Sequence, residues 1–223
     1  IYKHAGKIRD YNITKKEWVL DGATVIYGSA SELKATLEYD FSVEKDFSYK
    51  NLSLDEIIHH LALFVSRLWQ IHIFGEGNTR TTAVFFIKYL RSLGFNATND
   101  IFAENAWYFR NSLVRANYND LKNGIHETTE YLELFLRNLL LDEKNELHNR
   151  TMHISGVLNQ ASNSQSANNN TSKCKNCTLE ELSILKILRE NPGITQKELA
   201  KLLGKSERTI KSRTVEMQNK GFI

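Results

Sequence analysis

The residue pattern predicts a mostly α-helical protein: a helical bundle carrying one β-hairpin, followed by a small C-terminal helical domain. Three observations predict it. Apolar side chains recur at helical spacing through several stretches bounded by capping signals. A single Asp-Gly pair, Asp21–Gly22, sits between two short β-rich runs. Residues 159–173, NQASNSQSANNNTSK, contain no large apolar side chain. Such a stretch cannot bury enough surface to offset the entropy of ordering. It divides the chain into a body of residues 1–155, a flexible linker of residues 156–177 and a tail domain of residues 178–223.

The hairpin comes first. Glu17 to Tyr27 reads EWVL-DG-ATVIY, and an Asp-Gly pair suits a tight hairpin turn because both central positions need positive φ. Ser53-Leu54-Asp55-Glu56 is a capping box, and Ile57, Leu61, Phe64, Val65 and Leu68 then repeat at helical spacing as far as Gln70. His59 and His60 lie on this apolar helix with no acidic pattern beside them, and read as packing or surface residues. After a short polar loop, Thr79 to Leu93 forms a second helix stopped by Gly94. A third covers Ala103 to Asn117 and a fourth Thr128 to Glu146.

Composition narrows the class. A hydrophobic content of 41% with 10% aromatics is ordinary for a soluble globular protein. No apolar run approaches the roughly 18 residues of a membrane helix, and no signal-peptide pattern opens the chain. Two cysteines, Cys174 and Cys177, exclude a disulfide framework, so a reducing cytoplasm is the expected compartment. Beginning at Ile1 and stopping at Ile223 inside a recognisable pattern, the sequence reads as a piece of a longer protein. The net charge of +3 is uneven: residues 173–223 hold 11 Lys and Arg against 6 Asp and Glu, and the rest of the chain 18 against 20. A basic tail on an acidic body points to a nucleic-acid partner for the tail, although solvated lysine-rich faces are common.

The chemistry concentrates in His72-Ile73-Phe74-Gly75-Glu76-Gly77-Asn78-Thr79-Arg80. Glycines just before a helix start let the backbone approach a ligand, and the free N–H groups of that helix end favour an anion. Arg80 can add a fork of donors to phosphate oxygens. Glu76 can hold a Mg²⁺ that bridges phosphates. His72, which titrates near neutrality, is the natural group to take a proton from an attacking hydroxyl. Each part alone has a plain structural reading, and their combination in one anion-friendly loop is what carries weight. A Walker P-loop is excluded, because no Lys followed by Ser or Thr comes after the second glycine.

This segment resembles the Fic family signature H-x-F-x-[DE]-G-N-[GK]-R-x-x-R, and the helix–loop–helix setting with an upstream hairpin is similar to that family over residues 1–155. The resemblance implies a Fic-type bundle with a β-hairpin flap that transfers AMP from ATP to a Ser, Thr or Tyr hydroxyl of a target protein and releases pyrophosphate. His72 would be the general base, and Phe74 would point into the core. Glu76 would hold Mg²⁺, and the main chain at Gly75, Gly77, Asn78 and Thr79 would cradle the phosphates with Arg80. Val25, Ile26 and Tyr27 would form the flap edge that aligns a target segment by strand addition; an ordinary surface hairpin is the bland alternative. Tyr108 and Asn117 lie where similar proteins contact base and ribose, although an aromatic at helical spacing is more often core. The resemblance leaves a homodimer and modification of the chain itself open.

Two positions depart from the signature. Thr79 replaces Gly or Lys, which a helix start with negative φ accommodates. Ala83 replaces the last Arg, which in similar proteins grips the γ-phosphate, and Thr81 or Thr82 are the nearby substitutes. The family's inhibitory pattern [S/T]-x-x-x-E-[G/N] is absent from the 223 residues. A donor other than ATP, giving UMP or phosphate transfer, therefore stays open, as does a nucleotide-sensing DNA-binding regulator; retention of Glu76 favours AMP transfer.

In the tail, LEELSILKILRE, then Thr195 to Gly204, then Ser206 to Lys220 read as three helices, with Thr195 and Glu198 as a capping box. The pattern resembles a winged helix-turn-helix cut before its wing. Its third helix would present Arg208, Thr209, Lys211, Ser212 and Arg213 to DNA while Ile210, Thr214 and Met217 face the core; such folds also dock proteins. Cys174-Lys-Asn-Cys177 offers two thiols where zinc needs four ligands, and His148 and His153 lie across the linker, so the pair reads as ordinary thiols.

Overall fold

A computed structural model describes residues 6–155, 178–191 and 193–219. The expected linker, the Cys174–Cys177 pair and the wing position lie outside the described residues. The chain forms two compact units, residues 1–48 with 58–167 and residues 49–57 with 168–223.

The first unit is helical. Helices α1 (Leu33–Asp46), α2 (Leu54–Ile71), α3 (Asn78–Ser92), α4 (Asp100–Glu104), α5 (Ala106–Arg115) and α6 (Glu130–Leu141) follow one another. Helix α2 starts where the capping box predicts: Ser53 N donates to Glu56 Oε2 at 2.7 Å, and Glu56 N donates to Ser53 Oγ at 3.3 Å. Ile58, Leu61, Ala62, Val65 and Trp69 of α2 are buried almost completely, which makes it the core helix of the unit. Phe102, Phe109 and Phe135 tie α4, α5 and α6 together, with ring centroids about 5 Å apart (4.9, 5.0 and 5.0 Å).

Several boundaries differ from expectation for local reasons. The third predicted helix is two, parted at Asn105, whose φ of −120° and ψ of 30° leave the helical region while its side-chain amide donates to Ile101 O. The fourth stops at Leu141, where Asp142 adopts φ 52° and Asn138 and Asn145 exchange hydrogen bonds of 2.9 Å that turn the chain back. Helix α1 has no counterpart in the sequence reading. It buries only Leu33 and Glu44, leaving Tyr39, Phe41 and Val43 exposed, so its apolar stripe is faint.

The hairpin forms only in its turn. Asp21 and Gly22 take φ of 53° and 85°, as the dipeptide predicts, and Glu17 N donates to Ala23 O at 2.9 Å. No strand forms among the described residues, however, because Trp18–Leu20 coils into a 3₁₀ turn that takes up the near arm. The far arm joins no strand among the described residues; Ile26 O accepts from Gln70 Nε2 at 3.0 Å. Val25 and Tyr27 are buried and Ile26 is exposed.

In the second unit, α7 (Leu179–Glu190), α8 (Gln196–Leu203) and α9 (Glu207–Asn219) match the three tail helices. Thr178–Glu181 and Thr195–Glu198 are both complete capping boxes, and Gly204 ends α8 with φ 61°. Ile184, Leu185, Leu199, Ala200, Ile210 and Met217 form the core.

Candidate active-site loop

Residues 72–77 connect α2 to α3, and their conformation follows from a few side chains. Asn78 is buried and clasps the loop twice: Phe74 N donates to its Oδ1 at 2.8 Å, and its Nδ2 donates to Phe74 O at 2.6 Å. This side-chain work was missed in the sequence, which assigned Asn78 only its main chain. Phe74 is half-buried rather than a core anchor. Thr79 is helical and accepts a hydrogen bond from Trp69 Nε1 at 2.9 Å, so the β-branched residue at this position ties α3 to α2. Gly77 sits at φ 80°, and no side chain caps the start of α3. The first amides of that helix therefore lack a side-chain partner of the kind that usually caps a helix start. A Cβ on Gly77 would lie 3.8 Å from the Arg80 guanidinium, so Arg80 folds back toward the loop. Gly75 faces Tyr11, whose hydroxyl would lie 2.5 Å from an added Cβ. Glu76 is exposed at the rim.

His72 is the contrast. It is only 2% exposed, packed against the rings of Tyr27 and Trp69 at centroid distances of 4.3 and 5.3 Å. Its Nδ1 meets Trp69 O at 3.3 Å. A carbonyl can only accept, so Nδ1 carries the proton and Nε2 carries the lone pair. Nε2 is buried without a partner. Burial, then the charge of Lys15, pushes the imidazole down to about 3, with Arg9 and Arg110 adding to the effect and the Trp69 carbonyl opposing it. His72 is thus a neutral acceptor across the physiological range. The charge of half-buried Lys15 acts on His72, while Lys15 itself is pulled down by burial and then by Arg110, with Glu17 and Glu76 opposing.

Three residues missed in the sequence support this arrangement. Glu17, almost fully buried, receives the Tyr27 hydroxyl at 2.9 Å and pairs with both arms of Arg110, one at 3.0 Å. Arg9 reaches the carbonyls of Ile71 and His72. No local pattern marks these residues, which are 63 and 93 positions from their partners. His59 and His60 also acquire acids: His59 Nδ1 meets Glu133 and His60 Nε2 meets Glu44, each at 2.7 Å. Both carboxylates come from other helices, which is why no pattern beside the histidines announced them.

Tyr108 is buried on α5 and its hydroxyl donates to Tyr131 O at 3.1 Å. Asn117 Nδ2 donates to Ser66 O and Leu113 O. The Tyr108 hydroxyl proton and the Asn117 amide nitrogen are therefore committed to the body's own backbone. Thr82 is buried, Thr81 exposed and Ala83 half-buried. In the second unit Arg208, Thr209, Lys211 and Ser212 of α9 are exposed, Arg213 pairs with Glu216 at 3.0 Å, and Ile210 and Met217 are buried. Thr214 is half-buried and donates to Ile210 O at 2.8 Å. No cluster of three His, Cys, Asp or Glu able to hold a metal occurs among the described residues, and no helix there is long and apolar enough to cross a membrane.

A glycine-flanked, uncapped helix start preceded by a buried neutral imidazole, in a chain that also holds a three-helix unit, defines the class. Residues 1–90 match the Fic/DOC family, and residues 181–223 match a winged helix-turn-helix DNA-binding family. The chain carries a Fic/DOC domain with a C-terminal winged helix-turn-helix domain. A Fic/DOC domain suggests transfer of a nucleotidyl or phosphate group to proteins. Comparison with curated proteins and with solved structures returns no match.

Proposed function

We propose that the chain is a protein adenylyltransferase that moves AMP from ATP to a hydroxyl side chain of a target protein. The observation that carries this reading is the His72 ring, whose Nδ1 is committed to Trp69 O and whose Nε2 keeps an unshared pair. In the proposed reaction Nε2 takes the hydroxyl proton, the hydroxyl oxygen bonds to the α-phosphorus, and the bond to the departing pyrophosphate breaks. The open amides of α3 and the Arg80 guanidinium hold phosphate charge, and catalysis is mostly positioning and electrostatics.

Glu76 is the residue that would hold Mg²⁺. A single exposed carboxylate, with no acidic or imidazole cluster among the described residues, suits an ion that takes most ligands from phosphates and water. Bound there, the ion would offset charge on the α- and β-phosphates. Ile26 is exposed on a segment that joins no strand among the described residues, which suits alignment of a target by main-chain pairing once its carbonyl releases Gln70. Tyr108 and Asn117 stay candidates for base and ribose through apolar contact or their acceptor oxygens, since their donors are committed to backbone carbonyls.

The test is incubation of the full chain with Mg²⁺, a cell lysate and ATP labelled on its α-phosphate. Protein-bound label that His72→Ala abolishes is expected; label surviving in that variant sinks the assignment. Repeating the assay with UTP, and with ATP labelled on its γ-phosphate, decides between AMP, UMP and phosphate transfer.

A second reading has its own observation: α9 exposes Arg208, Thr209, Lys211 and Ser212 in a domain matching a DNA-binding family. An absence of label together with salt-sensitive DNA binding would make the chain a nucleotide-sensing regulator.

A further inference from the structure

The last carbonyls of α2 have no partner within the helix, and the chain turns sharply just beyond them, where His72 adopts φ 51°. A non-glycine residue keeps that left-handed backbone only when its surroundings impose it. Trp69 O accepts from the amide and the ring of His72, and Gln70 O accepts from Gly28 N at 3.2 Å. The next three carbonyls all go to Arg9. Its NH2 donates to Ile71 O at 3.2 Å, its Nε to His72 O at 2.7 Å, and its own backbone amide to Ile73 O at 3.0 Å. The remaining donors reach Tyr11 O at 2.6 Å and Gly28 O. Arg9 is buried, and among the described residues its side-chain partners are all main-chain carbonyls.

The geometry points to Arg9 as a positioning residue for the proposed transfer: by gripping the peptide carbonyl on each side of the His72 Cα, it fixes that residue's backbone and keeps Nδ1–H on Trp69 with Nε2 free. Two peptide planes determine one φ and one ψ, so holding both carbonyls sets where the ring points. Five donors in a planar fork can serve several carbonyls at once; a lysine ammonium is a point charge on a flexible stem and cannot. The kinetic half of this inference rests on the transferase reading, whereas the ring orientation does not.

The experiment compares wild type with Arg9→Lys and Arg9→Gln as full chains. Three quantities are read: initial labelling rates over a range of ATP, helical circular dichroism, and the ring-nitrogen NMR pattern of His72. Arg9→Lys is expected to lower turnover roughly 100-fold with the KM for ATP changed less than about threefold, as for a misplaced catalytic group. The His72 ring should pass from pure Nδ1–H to a mixture of tautomers, and the helical signal should persist. Arg9→Gln should shift in the same direction. The inference is overturned by a wild-type rate in Arg9→Lys, by an unchanged ring pattern, or by global unfolding, which would make Arg9 a general structural residue. A wild type that labels nothing yet shows the Nδ1–H pattern, lost in Arg9→Lys, sinks the transferase and keeps the clamp.

Discussion

Burial of the His72 imidazole has a thermodynamic consequence separate from any reaction. The unfolded chain takes up a proton on this ring below its ordinary value near 6.5, but the folded chain does not until about 3. This depressed value means that stability is complete above pH 6.5 and is lost as pH falls through the interval toward 3, at about 1.4 kcal/mol per pH unit. Between pH 7 and pH 5 wild type should therefore lose about 2 kcal/mol more than His72→Gln, read by urea unfolding at both values. Equal losses would place the ring in solvent. His72, the glycines and Arg80 were legible because they are contiguous, and the chemistry of a helix start is written in neighbouring residues. Arg9 was not, because it earns its place through carbonyls 62 and 63 residues away, and carbonyls leave no mark in a sequence.

At the scale of elements, the loop carrying Glu17 is joined to α5 through Arg110 and to the His72 ring through Tyr27. Removing one member of a buried ion pair strands the other, which costs roughly 3–5 kcal/mol, while removing both is far less harmful. Arg110→Met alone should be strongly destabilising, and adding Glu17→Leu should recover part of the loss. A double-mutant cycle by chemical denaturation checks this, and strict additivity would show that the two charges do not couple. The same element explains the limit of the hairpin reading. Asp21–Gly22 specifies its turn locally, but whether the arms pair depends on what pulls on them, and Trp18–Leu20 coils instead of extending. Helices α2, α3, α7, α8 and α9 were legible from caps and spacing. Helix α1 was not, since its residues give no clear apolar face.

At the scale of the whole molecule, charge and fold agree on two differing units. Eleven basic residues against six acidic ones in residues 173–223 accompany a helix-turn-helix core closed by Ile210 and Met217, which turns Arg208 and Lys211 outward. If α9 meets phosphates, Lys211→Ala should weaken DNA binding similarly for all sequences and reduce the salt slope by about one, measured by titration at several salt concentrations. An unchanged slope would favour a protein partner. The cover that Tyr27 and Trp69 form over His72 bears on what the molecule does at rest. An imidazole that solvent cannot touch does not activate solvent, so under the proposed transfer the resting protein should hydrolyse little ATP. A small acylating reagent such as diethyl pyrocarbonate should mark His59 and His148, whose side chains are 56% and 64% exposed, well before His72, as peptide mass mapping would reveal. Under the proposed transfer, reactivity would then begin only when the acceptor gains access to the buried Nε2.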